Sequence, residues 1–460
     1  MTLPTPRRFH SATTPSSKLS RRSMLNHTAR CLALATTLAR GSATSAQDKH
    51  ATDSKPKAKP EPTQGPTILS KKRRVVRVLG THVTLQEDLR KRAEADLGIE
   101  LQFSPGGSAE VLHRASTRPE SFDLYEQWSN SMRVLWQVGA IQPIETKRLR
   151  YWSEINQLTT TGRLTPNAKI GAGDAPNRLL FVQPDGALGG NETSKVSFLP
   201  YVHNVDSFGY DAGKIPRGIP YETESWSWLL DEQHQGKVAI VNAPTIGLFD
   251  LALAAQAKGL IEFDDIGNIS RSKLDELFDI LMTYRRRGHF RGIWSSVPAS
   301  VELMKSGESV VESMFSPAVF DLKAQGVDCV YASPVEGYRA WHGVMCLSVA
   351  AQGDVKDAAY EYMNWWLSGW PGAFIAKQGY YISNPQRSRK ELTADEWDYW
   401  YEGKPARTDL LGTQGKVVVN KGASRDGGSY ERRFSNIAVW NTVMPTYEYS
   451  LTRWNEFLSG

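Results

Sequence analysis

Four places in the chain put aromatic, hydroxyl or amide side chains where a strand should give way to a helix: Thr81-His82, Trp128-Ser129, Asn242 to Thr245, and Phe315-Ser316. In an open α/β sheet, ligands collect beyond the carboxyl ends of the strands, in a crevice between halves. Free N–H groups at the helix starts favour anionic or strongly polar ligand atoms there. The rings of Trp128, Phe315 and Trp341 offer faces for stacking or for holding a cation, and Trp294 is a weaker member of the set. Each ring could equally serve as core packing, which residue type alone does not decide. Arg339, beside His342, adds a guanidinium that can grip a carboxylate through two parallel hydrogen bonds, or pair with Glu336 instead. Bond-making chemistry has less to work with. There is no G-x-S-x-G, no phosphate loop and no supported Cys/His pair, and His203, His289 and His342 lack metal-ligand spacing. No catalytic residue, metal or cofactor is expected.

The elements that must hold these residues follow from local pattern. Val75 to Leu79, Ile99 to Phe103 and Phe122 to Glu126 read as strands. Between the first two, Val83, Leu85, Leu89, Ala93 and Leu97 mark a helix stopped by Gly98, and a second helix is predicted over Ser108 to Arg118. Strand and helix alternate in this way in α/β sheets with parallel strands. Arg178 to Val182 and Ala239 to Val241 are further strands, and Ser272-x-x-Asp275 is a candidate capping box. Ser309 to Phe315 is another strand, with Ser316 as the expected N-cap of a helix ended by Gly326. Val327 to Ala332 is a strand, Pro334 to Gly337 a turn, Tyr338 to His342 a loop, and Gly343 to Val349 a strand again.

Phe315-Ser316, the turn Pro334-Val335-Glu336-Gly337 and the aromatic stretch Tyr338 to His342 resemble the second interlobe crossover of periplasmic solute-binding proteins of ABC importers, spermidine/putrescine-binding type. Pro200-Tyr201, the Trp226-Trp228 segment and Gly379-Tyr380 to Asn384 are similar to other elements of that family, in the same order. The resemblance implies an α/β, two-lobed type II fold with two crossovers and a ligand cleft between the lobes. Lobe 1 would comprise 75–203 and 316–350, lobe 2 would be 204–315, and 351–460 would pack on both. It further implies a monomer that hands a small organic solute to ABC permease subunits. Family polyamine sites pair aromatics with carboxylates, yet Asn242 to Thr245 lacks an acid, and Arg339 and His342 stand where relatives often have one. A carboxylate or zwitterion is therefore as open as a polyamine. Tyr380-Tyr381 is similar to the tyrosine pair of ferric-ion-binding proteins, and an exported hydrolase is the remaining alternative.

Charge is distributed unevenly. Residues 1–74 hold 15 Lys/Arg against 3 Asp/Glu, so the whole chain's +6 leaves −6 on residues 75–460. Nucleic-acid binding needs basic charge on the folded body and is not expected. Arg21-Arg22 ahead of Met24-Leu25 resembles a twin-arginine export signal, followed by an apolar stretch, Cys31 to Ala39, and expected cleavage after Ala46. Residues 47–74 read as a polar, Pro-rich linker to a periplasmic body. Cys329 and Cys346 fall in strands flanking the 334–342 segment and could lie side by side, as a disulfide or as two buried thiols.

Overall fold

Val75–Gly80 pairs in parallel with Glu100–Pro105 on one side and with Leu124–Trp128 on the other. The computed structural model describes residues 73–460; the twin arginines, the expected cleavage site and nearly all of the linker lie outside the described residues. Helix Glu87–Leu97 buries Leu89 and Ala93 and ends at Gly98, whose φ of 65° suits a residue without a Cβ. Val238–Val241 repeats the scheme, in parallel between Phe290–Trp294 and Val311–Met314. In each half the order is second, first, third strand, then a long antiparallel crossover strand. Tyr338–Ser348 takes that place beside Leu124–Trp128, and Leu199–Asp211 takes it beside Val311–Met314. The two crossover strands also pair with each other, so a single sheet passes through both halves. This is the two-lobed type II α/β arrangement that the sequence motifs imply.

Several local expectations give way to long-range pairing. Tyr338 to His342 is strand rather than loop, because Leu199–Asp211 satisfies one of its edges and Ile437–Trp440, about a hundred residues later, the other. Ser316 does not cap its helix; Phe315 holds the cap position, and the Ser316 hydroxyl accepts from Asn204 Nδ2 at 3.3 Å. Helix Arg271–Arg286 is capped by Ser270, two residues before the expected box, through Lys273 N–H. The expected strand at 178–182 shrinks to Phe181–Val182, since Pro176–Arg178 forms a 3₁₀ turn. At the start of helix Ala394–Trp400, Thr393 and Glu396 form a reciprocal capping box. Cys329 pairs opposite Asp211, whereas Met345, next to Cys346, pairs opposite Leu199. The cysteines thus sit at opposite ends of one 13-residue strand, roughly 40 Å apart at about 3.3 Å per residue, and both are free and buried.

Among the described residues, three large hydrophobic cores result. One lies around Val76, Leu89, Leu124 and Trp366, and a second around Phe208, Trp226, Leu251 and Phe457. The third is aromatic and gathers Tyr381, Trp397, Trp400, Tyr430 and Trp440 around Tyr338. It is built largely from 394–440, and the last helix, Tyr447–Ser459, packs on helix Arg271–Arg286.

Glu126, on the third strand, is fully buried and accepts from the Tyr201 hydroxyl at 3.1 Å. Burial pushes its pKa from the ordinary 4.5 up to about 7. The folded state therefore holds a proton that the unfolded state releases. The stabilisation is complete below about pH 4.5 and is lost as pH rises through about 7. Between pH 5 and 8 the wild type should lose up to about 3 kcal/mol relative to Glu126→Gln. Urea unfolding of both proteins across that range measures the difference, and a gap that does not vary with pH would contradict it.

Candidate functional site

The end of the first strand and the start of helix Ser316–Ala324 face a common cavity of about 440 Å³. His82, Val83 and Gln86 line it from one side, and Pro317, Phe320 and Asp321 from another. Lys377, Gln378 and Tyr380 supply a third wall. The fourth is the loop of a small hairpin, Leu410–Leu411 with Val417–Val419, which contributes Thr413, Gln414 and Lys416. The hairpin's place is set by contacts in two directions. Gln414 Nε2 reaches Asp88 on helix Glu87–Leu97, and Val417–Val419 packs against helix Ser316–Ala324. Pro317, which lacks an N–H, sits in the first turn of its helix and needs no donor partner there.

The walls combine apolar surface with neutral amides. Among the described residues, Asp321 is the one carboxylate of the lining; Lys377 and Lys416 are its cations. Lys377 is tied to Glu396 at 2.8 Å, which leaves Lys416 as the lining cation without an ion pair. Behind Tyr380 runs a string of rings. Tyr380 lies 5.6 Å from Trp341, and Trp341 lies 4.7 Å edge-on to Trp128. Burial raises the Tyr380 phenol above its ordinary pKa, so it meets a ligand as a neutral hydroxyl.

The expected site residues divide into groups. His82 is exposed in the cavity wall, and Thr81 is buried beside it with its carbonyl receiving Leu85 N–H. Trp128 is half-buried, whereas Trp341 is 6 % exposed and belongs to the first core. Ser129 and Ser316 are buried at the helix starts. Trp294 and Phe315 cluster at the strand ends of the second half, Asn242 N–H donates to Trp294 O, and neither these three nor Thr245 line the cavity. There Trp294 and Phe315 meet edge to face at 5.3 Å, and Asn242 Oδ1 accepts from Trp454 Nε1.

Arg339 is where the structure departs furthest from the sequence reading. It is fully buried; its Nε donates to Asp250 at 2.6 Å and Nη1 lies 3.5 Å from Asp206. Glu336 is engaged elsewhere, accepting from Trp226 N–H and the Ser225 hydroxyl. A guanidinium already held by two carboxylates has no charge to spare for a ligand. His342 is equally sealed, stacked on His203 at 5.2 Å, and burial lowers its pKa to about 4. Tyr380 and Tyr381 diverge rather than converge: the Tyr381 hydroxyl is buried and donates to Trp400 O. Among the described residues no group of His, Cys, Asp and Glu could hold a metal. The sequence reading missed Gln86, Phe320, Lys377 and the hairpin.

Two substitutions follow from these placements. Trp341→Ala should destabilise the unliganded protein by about 3–5 kcal/mol, as for other buried aromatics. Arg339→Ala should cost a similar amount by stranding Asp206 and Asp250 in the interior. Differential scanning calorimetry without ligand measures both; an unchanged melting temperature would place these residues outside the packed interior.

Residues 88–399, about two-thirds of the chain, match the family model for bacterial extracellular solute-binding proteins. No curated protein is significantly similar to the chain. Among solved structures, a putative spermidine/putrescine ABC transporter protein from Listeria monocytogenes superposes with a TM-score of 0.57 at 13 % identity, over 84 % of this chain and 98 % of that one. The Tp0655 (TpPotD) lipoprotein of Treponema pallidum gives 0.58 at 11 % identity, over 83 % and 99 %. The spermidine/putrescine substrate-binding protein PotD of Streptococcus pneumoniae, solved with calcium and HEPES, gives 0.54 at 11 % identity, over 84 % and 99 %. Likeness at these identities concerns the fold.

Proposed function

Since the chain belongs to the family of bacterial extracellular solute-binding proteins, we propose that it captures a small zwitterionic or carboxylate-bearing solute and delivers it to an ABC importer. Membership makes the chain a solute carrier rather than an enzyme. The observation that carries the ligand class is the charge of the cavity wall. Asp321 stands alone against Lys416, and Lys377 is already neutralised by Glu396. A polyamine needs an acid for each ammonium group, and this wall supplies one. A carboxylate suits Lys416, the neutral amides of Gln86, Gln378 and Gln414 can take up further polar groups, and Phe320 and Tyr380 suit a short aliphatic stretch. Capture then works by differential contact: the solute stabilises the arrangement in which both halves and the hairpin touch it, and the importer reads that closed state.

Three ligands of matched chain length test the class: putrescine, 4-aminobutyrate and succinate, titrated calorimetrically. Binding of either carboxylate over putrescine supports the proposal, and Lys416→Ala should weaken it about tenfold or more. Preference for putrescine, unaffected by Lys416→Ala, would overturn it.

Export through the twin-arginine route belongs to the same proposal. Among the described residues no helix is long and apolar enough to cross a membrane. Replacing both Arg21 and Arg22 by Lys should hold the precursor in the cytoplasm, as cell fractionation and immunoblotting would show. Normal periplasmic accumulation of that variant would rule the route out.

A further inference from the structure

Behind helix Ser316–Ala324, on the side turned to the third core, lies a second cavity of about 20 Å³. Arg425 and Arg433 both line it, and they are 9 % and 2 % exposed. Neither has a carboxylate partner among the described ion pairs. Arg425 donates through Nη2 to Gly379 O, and its Nε and Nη1 have no acceptor. Arg433 donates to the Tyr381 hydroxyl and to Val205 O, both neutral, and its Nε has no acceptor. The rings of Trp400 and Tyr381, 4.8 and 5.2 Å from the Arg425 guanidinium carbon, offer it their faces but no negative charge. The lining also holds Lys323 and Asp426, but these neutralise each other at 2.7 Å.

Two buried guanidiniums with three N–H-bearing atoms lacking acceptors are costly unless something negative sits between them. The start of helix Ser316–Ala324 adds further positive potential, since Ser316 lines the same cavity. Size then selects the occupant. One water-sized particle needs roughly 10–15 Å³, so about 20 Å³ suits one small ion better than a tetrahedral oxyanion. We propose that the cavity bounded by Arg425, Arg433 and Ser316 is a binding site for a single halide-sized monoanion, chloride under ordinary conditions. It is separate from the solute cavity, with which it shares Phe320 as a common wall. The bound anion neutralises the arginine pair and pins the segment carrying it to the helix that forms one side of the solute site. The site does not depend on which solute the protein carries.

Bromide is the probe. Crystals of the full-length protein grown in bromide should show an anomalous peak between Arg425 and Arg433. In solution, at equal ionic strength, the melting temperature should be about 2 °C or more higher in chloride or bromide than in gluconate, because an ion bound only by the folded state stabilises it by mass action. Arg425→Met should remove that difference. Should the variant fail to fold, the wild-type measurements decide alone. An empty or water-filled cavity in bromide crystals, or equal melting in chloride and gluconate, would overturn the proposal. Loss of solute binding with the bromide peak intact would count against the ligand class proposed above and leave the anion site standing.

Discussion

The guanidinium of Arg339 joins parts of the chain that no local preference would bring together. It stands on the second crossover strand opposite Asp206 of the first, and it reaches Asp250 in the first turn of helix Gly247–Ala257 and Asn441 just after the last strand. Its own burial disfavours the charge, but Asp250 and Asp206 outweigh that and hold it protonated. Such a network contributes less net stability than its short distances suggest, because desolvation consumes most of the attraction. Its effect is on uniqueness. Any other register of the two crossover strands would leave a charge alone in the interior, so the pairing that makes the sheet continuous is the one that satisfies Arg339.

Given that register, the rest of the architecture falls into place. The stacked pair His203 and His342 sits three rungs along the same ladder, both rings neutral because burial lowers their pKa values. Trp341, opposite Asn204, extends toward Trp128 and Tyr380 and so links the ladder to the solute cavity. The hairpin at 410–419 closes that cavity from a segment with no counterpart in the motifs that mark the family.

Much of this was legible in the sequence because the relevant forces are local. Val75–Gly80 and Val238–Val241 are strands by residue type and flanking turns, Gly98 and Gly326 stop helices where a left-handed residue is needed, and Thr393 with Glu396 forms the reciprocal cap. Misread segments owe their form to distant partners. Tyr338 to His342 looks like a loop until Ile437–Trp440 lies beside it, and Arg339 looks available to a ligand until Asp250 is brought within 2.6 Å. Cys329 and Cys346 are neighbours in sequence pattern but are separated by the full length of a strand. Of the site, His82 and the helix start at Ser316 could be found from strand ends, whereas the hairpin wall could not, because nothing in its own residues says what it covers.

The parallel pairing of Ile437–Trp440 with Tyr338–Ala340 has a temporal consequence. During synthesis the second crossover strand emerges about a hundred residues before the strand that completes its edge, and the third core gathers only when 394–440 has followed. The packing partner of helix Arg271–Arg286 arrives later still, in Tyr447–Ser459. A ribosome-bound chain therefore carries an unfinished sheet edge and an unfilled aromatic socket until residues 394–440 have emerged, a stage at which proteases and chaperones act on non-local folds. Synthesis of this segment doubles as an inspection of what precedes it: a product cut at residue 430 lacks Ile437–Trp440 as well as Tyr447–Ser459, and it remains recognisable to the cell as unfinished.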